Sequence, residues 1–129
     1  MTRRYDEILA TMPPGLDKKI LRILAGHLGE NNRISRGDLV KLALYKFSDN
    51  DITETDDRLV RETISRLRHD GHLICSSSGT GGYYMASSYD DVENMRAEME
   101  SRAMDLLEQS RTLKKRATEW FGAQLKMKI

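Results

Sequence analysis

Apolar residues recur at helical spacing over most of this chain. Tyr5, Ile8, Leu9 and Met12 stand at i, i+3, i+4 and i+7, which predicts a short helix over 3–12, stopped by Pro13, Pro14 and Gly15. A second helix is expected to begin near Asp17, its candidate cap, with Leu16, Ile20, Leu24 and Leu28 in one stripe and Leu21 and Ile23 beside it. Gly29, Glu30, Asn31 and Asn32 end it. Arg33–Ser35 is too short for an independent strand but long enough to edge a small sheet. Ser35, with Asp38 three residues on, has capping-box spacing for another helix, whose apolar side is read as Leu39, Val40, Ala43, Leu44 and Phe47. After the polar turn 48–51, Thr53 or Thr55 caps a helix with Val60, Ile64 and Leu67 on one face, and Gly71 closes it.

The period then changes. Residues 72–76 and 82–86 read as two antiparallel strands joined by a turn of small residues, Ser77, Ser78, Gly79, Thr80 and Gly81. Ser88, with Asp91 three residues later, opens a long last helix. Val92, Met99, Leu106, Leu113, Trp120 and Met127 recur along it every seven residues, flanked by Met95, Ala103 and Ala117, while Arg102, Gln109 and Arg116 are polar. This half-built seam suits packing on the chain's own domain or a short antiparallel dimer. Gly122 is a candidate bend or stop.

Composition narrows the class. The chain has 129 residues, 32% charged and 6% aromatic, enough for one compact domain with an arm or tail. No apolar run approaches the roughly 20 residues of a membrane span. No apolar signal core follows Arg3 and Arg4, and Cys75 is the sole cysteine, so a reducing cytoplasm is the expected setting. The net charge is only +1, low for a nucleic-acid binder, but residues 88–110 are mostly acidic and 111–128 mostly basic. Acid first and base last also complements a helix dipole.

On the helix that ends at Gly71, the residues opposite Val60, Ile64 and Leu67 are Arg58, Glu62, Ser65 and His69, with Arg61 and Arg68 on one flank and Arg66 on the other. A forked guanidinium bonds guanine edges or phosphate in bidentate fashion, and a small residue lets a helix approach a groove. Arg58, Arg61 and Ser65 are therefore expected in the major groove of double-stranded DNA. Arg66 and Arg68 are assigned to phosphate or to acids of the domain. Ser77, Ser78 and Thr80 would offer hydroxyl and amide donors to phosphate, although the turn holds no lysine or arginine. The plainer alternative is that these arginines only solvate an exposed helix face and pair with Asp57, Glu62 and Asp70; the strand, turn and strand that follow put DNA contact ahead of it.

The order helix, short strand, helix, turn, helix, strand, turn, strand is that of a winged helix-turn-helix. Residues 55–88 resemble such domains in small bacterial and bacteriophage DNA-binding proteins through Asp57, Arg58, Arg61, Ile64, Leu67, Arg68, Gly71, Ile74, Cys75, Ser76 and the run Gly81–Ala86. The resemblance implies an α+β, mostly helical fold and a role on DNA in regulation or replication. The expected division is an N-terminal arm over 1–15, the winged helix-turn-helix over 16–87 and a long helix over 88–129. Val92, Met99, Leu106, Leu113 and Trp120 would serve packing or homodimerisation, which would set two reading helices about 34 Å apart on DNA. The rival reading is a winged-helix adaptor that docks a protein partner through the last helix.

Other chemistry is not indicated. His69, His72 and Cys75 lack a fourth ligand and straddle a helix–strand switch, so no metal is expected. Cys75 reads as a small core residue, and His27 as favourable to a helix C-terminus. The turn 76–82 is followed by no Gly-Lys-Ser/Thr, and no nucleophile–base set or cofactor fingerprint occurs, so neither catalysis nor a cofactor is expected. Tyr83 and Tyr84 alternate, which predicts one inward and one outward.

Overall fold

The computed structural model describes residues 2–77 and 81–128. The fold is α+β and mostly helical. Its elements are α1 (Thr2–Thr11), α2 (Leu16–Ala25), a 3-10 turn (Glu30–Asn32), β1 (Ile34–Ser35), α3 (Arg36–Leu44), a second 3-10 turn (Asp49–Asp51), α4 (Glu54–His69), β2 (Ile74–Ser76), β3 (Gly82–Met85) and α5 (Tyr89–Lys128). Two compact units result, Met1–Glu93 and Asn94–Ile129. Among the described residues no helix is long and apolar enough to cross a membrane.

Helices α2, α3 and α4 share one core. Ile20, Leu21 and Leu24 of α2 meet Leu39, Val40 and Ala43 of α3 and Val60, Ile64 and Leu67 of α4, all buried. They stand at i, i+1, i+4 in α2 and α3 and at i, i+4, i+7 in α4, so each helix turns one stripe inward. Thr63 is buried as well, which the apolar pattern did not indicate; its hydroxyl donates to the Leu59 carbonyl at 2.8 Å and so needs no further partner. Helix α2 starts at Leu16 after Gly15, with no side-chain cap; Asp17, the expected cap, pairs with Arg66 instead.

The boundaries of α3 and α4 have local causes. The Asp38 amide donates to Ser35 Oγ at 3.1 Å, as the sequence suggested, while the Asp38 carboxylate turns to Lys41. Thr53, rather than Thr55, caps α4, and Asp56 completes a reciprocal capping box. At its far end the Gly71 amide donates to the Arg68 carbonyl and the His72 amide to the Leu67 carbonyl, with Gly71 at φ 94°: a Schellman stop that favours glycine. Helix α3 ends differently, in Tyr45 at φ 57°. That conformation is costly for a tyrosine, and Lys19 Nζ, 3.1 Å from the ring centroid, offsets it by a cation–π contact. The left-handed turn directs Phe47 outward, 95% exposed, so Phe47 does not belong to the apolar side of α3 as its spacing suggested.

The sheet has the order β1-β3-β2, antiparallel throughout. Ile34 and Ser35 pair with Tyr83 and Gly82, so the short segment does edge the sheet. Opposite, Ile74 pairs with Met85, Cys75 with Tyr84 and Ser76 with Tyr83. Ile74 and Met85 enter the helical core, whereas Cys75 and Tyr84 point to the other face and are buried there too. Tyr83 is half-buried against the core rather than fully outward. His27, two residues past α2, uses Nδ1 to donate to the Asn32 carbonyl at 2.8 Å and so holds the first 3-10 turn.

Helix α1 is part of this unit. Tyr5 is buried and its hydroxyl donates to the Ala86 carbonyl, just past β3, while Ile8, Leu9 and Met12 pack on the core edge. At the other end of the unit, Ser88 Oγ accepts from the Asp91 amide and the Asp91 carboxylate accepts from the Ser87 amide and hydroxyl. Helix α5 runs through Gly122 to Lys128, so that glycine does not stop it.

Tyr5→Phe is expected to lower stability by about 1–2 kcal/mol, since it leaves a buried carbonyl without its donor; urea unfolding followed by circular dichroism measures this. Burial pushes the Cys75 thiol up to about 11, with Asp91 adding to the rise. A thiol reagent at neutral pH is therefore expected to leave the native protein untouched and to label it only in denaturant. Because the folded value lies above the unfolded one, stability is expected to be full below about pH 9 and to fall as pH rises towards the folded value.

Candidate nucleic-acid interface

The face of α4 opposite its buried stripe carries Arg58, Arg61, Glu62, Ser65, Arg66 and His69, all exposed. The four arginines of the helix are not equivalent. Among the described residues Arg58 makes no ion pair or hydrogen bond, and Ser65, two turns further along the same face, is small and exposed. Arg61 Nε lies 3.0 Å from Asp57 Oδ2, one turn back, and Arg36 Nε lies 3.1 Å from the other oxygen of the same carboxylate. Both guanidiniums remain about half exposed, so either can turn to an incoming anion at small cost, because exposed pairs contribute little.

Arg66 is held by Asp17 of α2, through both Nε and a terminal nitrogen. The sequence left Arg66 between phosphate and an acid of the domain, and the acid is its partner. Arg68 is different again. Its Nε donates to the Ile74 carbonyl at 2.8 Å and its terminal nitrogen to Ser76 Oγ at 3.2 Å. It thus fastens strand β2 to the end of α4, and burial pulls its guanidinium below the usual arginine value. Arg68 is not placed to meet a ligand, whereas Arg66, with its side chain 55% exposed, has its fork turned onto Asp17.

The turn between β2 and β3 is closed by the Ser77 amide donating to the Gly82 carbonyl at 2.9 Å. Ser77 Oγ donates to the Glu30 carboxylate at 3.2 Å, so this hydroxyl is engaged within the protein. Ser78 and Thr80 lie outside the described residues. A cation that the turn itself lacks is supplied from elsewhere: the Arg33 stem crosses Gly82, where an added Cβ would meet Arg33 Cδ at 2.9 Å and the Ile34 carbonyl oxygen at 3.1 Å. Arg33 is exposed, and one of its terminal nitrogens donates to the Glu30 carbonyl. Arg33 is not evident from sequence alone because it precedes the hairpin by some forty residues; the glycine at 82, opposite the short strand, is the signal.

The electrostatics are balanced. Residues 1–93 hold thirteen lysines and arginines against fifteen acids, a net of −2, and residues 94–129 hold eight against five, a net of +3. On α4 itself Glu54, Asp57 and Glu62 stand among the arginines. This surface can form directed bidentate hydrogen bonds, but it does not project a strong positive field. The described residues contain no group of three or more His, Cys, Asp and Glu placed to hold a metal ion. The last helix presents a different surface: Met99, Leu106, Leu113 and Trp120 are 44%, 64%, 71% and 69% exposed, and Val92 is half-buried.

Comparison with protein families, with characterised proteins and with solved structures finds no match to this chain. What the chain does has to be read from its own geometry.

The arginines are expected to separate in a stability assay. Arg68→Ala should lower the unfolding free energy by about 1.5–3 kcal/mol, the range for hydrogen bonds made by charged groups. Arg58→Ala should stay within roughly 0.5 kcal/mol of the parent, as an exposed side chain without partners does. Equal losses in the two variants would contradict this division.

Proposed function

We propose that residues 16–87 form a winged helix-turn-helix that binds double-stranded DNA, with α4 in the major groove and the β2–β3 turn against the backbone. The observation that carries this reading is the outer face of α4. A groove about 12 Å wide admits one helix, and Arg58, Arg61 and Ser65 form an exposed strip opposite a fully buried seam. The element order from α2 to β3 and the pairing of β1 with β3 agree with that architecture. In this reading Arg58 and Arg61 bond base edges or phosphate, Arg33 meets phosphate beside the turn, and Arg66 and Arg68 hold the scaffold. The chemistry is recognition rather than catalysis, and the near-neutral surface makes binding depend on hydrogen-bond geometry more than on bulk charge.

A second reading draws on a specific observation as well. The apolar stripe of α5 is exposed and residues 1–93 are net acidic, which suits an adaptor that docks a protein through that helix.

Fluorescence anisotropy of a labelled mixed-sequence duplex across a salt series separates the two. Each phosphate neutralised contributes about −0.9 to the slope of log K against log salt, so the slope is expected to run from roughly −0.9 with Arg33 alone on phosphate to roughly −2.7 with Arg33, Arg58 and Arg61 all on phosphate. Arg58→Ala is expected to weaken binding by about 1–3 kcal/mol and, where it meets phosphate, to reduce the slope by about 1. Absence of binding at low salt, to the mixed duplex and to a pool of randomised sites alike, would overturn the DNA reading and favour the adaptor.

A further inference from the structure

From Met99 to Phe121, every side chain of α5 is exposed, including Met99, Met104, Leu106, Leu107, Leu113, Trp120 and Phe121. A helix that keeps such a stripe in water has an unsatisfied face. Its composition is ordered in two ways. Large residues Met99, Leu106, Leu113 and Trp120 recur every seven positions, and four residues after the first three of them come Ala103, Ser110 and Ala117. The steps therefore alternate four and three, the spacing of a complete coiled-coil seam with large residues in one register and small ones in the other. The polar residues three positions on, Arg102, Gln109 and Arg116, flank this seam rather than interrupt it.

The second order is charge. Residues 90–108 hold seven acids and two arginines, whereas 111–128 hold six bases and one acid, Glu119.

We propose that α5 pairs with α5 of a second copy of this chain in antiparallel orientation. Two independent features select that partner and that direction. In a parallel pair, identical seam positions meet, so layers of two large residues would alternate with hollow layers of two small ones. In an antiparallel pair, each small position faces a large one, and the layers built from residues 99 to 117 have nearly the same volume, as close packing requires; Trp120 lies beyond them, opposite Arg96 of the second copy. A two-fold axis near residue 108 sets Ala103 opposite Leu113 of the second copy, Leu106 opposite Ser110, and Met99 opposite Ala117. The same orientation lays the acidic half of each helix along the basic half of the other and brings Glu100 towards Lys114 of the second copy. A parallel pair would align acid with acid and base with base, which is repulsive. Arg102 and Arg116, which flank the antiparallel seam on one side, each have an acid within their own helix, Glu98 at 3.9 Å and Glu119 at 3.4 Å.

The test uses the full chain. Sedimentation equilibrium at micromolar to millimolar concentration is expected to give twice the 14.8 kDa of one chain. Leu106→Glu combined with Leu113→Glu is expected to abolish the dimer. Orientation is read from a nitroxide on Gly122→Cys in a Cys75→Ala background, by double electron–electron resonance. The 28 residues between the two labels across an axis at 108 give about 40 Å at 1.5 Å per residue; a parallel pair gives about 20 Å or less, set by helix diameter and spacing. A monomer at every concentration, a dimer that survives both glutamates, or the short distance would each overturn the proposal. The spin-label distance alters no seam residue, so it stands even where the double glutamate variant loses its helix. None of these readouts involves DNA, and failure here leaves the reading of α4 to its own assay.

Discussion

Strand β3 is bonded along both edges, to β1 on one side and β2 on the other, and the backbone beside it serves as the anchor for what surrounds it. The Met85 amide donates to the His27 carbonyl, the Gly29 amide donates back to the Met85 carbonyl, the Ala86 amide donates to the Leu73 carbonyl, and Tyr5 reaches the Ala86 carbonyl. Within two residues, the end of α2, the segment before β2 and helix α1 are all fastened to one place. Met85 and Ala86 are buried, so their backbone donors and acceptors would cost free energy if left unpaired. The short sheet can therefore hold its shape with strands of two to four residues, lengths that are not stable alone. Because Ile74 and Met85 of that sheet share the core with Val60, Ile64 and Leu67, the direction of α4 is fixed as well. The outer face of α4 is exposed because its inner face has nowhere else to go.

Charge is then distributed by what that arrangement leaves in reach. Arg68, at the end of α4, finds the Ile74 carbonyl and Ser76 as the chain turns back, and becomes part of the scaffold. Arg66, on the flank nearer α2, finds Asp17. Arg61 shares Asp57 with Arg36, a carboxylate placed between α3 and α4. Near the start of the outer face, Arg58 makes no ion pair or hydrogen bond among the described residues. A row of arginines that looks uniform in sequence is divided by tertiary position into structural and available members. Three acids next to these arginines are engaged within the unit, Asp17 and Asp57 in ion pairs and Asp56 in the cap of α4.

Most element bounds were legible in the sequence to within a residue or two, because they rested on strong local signals: Gly71, the Thr53 cap, and the switch from helical period to alternation after Gly71; α2 is an exception, ending at Ala25 with Leu28 drawn into a bridge to Met85 instead of the helical stripe. Where they failed, long-range contacts decided. Phe47 had the spacing of a buried residue, but the left-handed turn at Tyr45, held by Lys19 from α2, ended the helix first. Asp17 looked like a cap, but an arginine forty-nine residues away claimed it. Gly122 looked like a stop, but one glycine costs a helix only about 1 kcal/mol, too little to break a long one. Of the candidate interface, the outer face of α4 was readable from spacing alone. Arg33 was not, because its place beside the hairpin depends on the pairing of β1 with β3.

The last helix shows why pattern and partner are different questions. Its seven-residue recurrence is plain in the sequence, but the row three residues after each large position is polar. The complementary row lies four residues after, and it is small. Small residues score poorly as core in a single chain, since burying alanine or serine removes little apolar surface. Their value emerges only opposite a bulky neighbour, when they let two helices approach and let the larger side chain fill the space. Exposure of the large row makes that neighbour necessary. A stripe alternating between Leu or Met and Ala or Ser, on a helix whose two halves carry opposite charge, is complementary to its own reverse in both shape and electrostatics. Few other sequences would satisfy both conditions without having been built for this helix, whereas a second copy does so by symmetry.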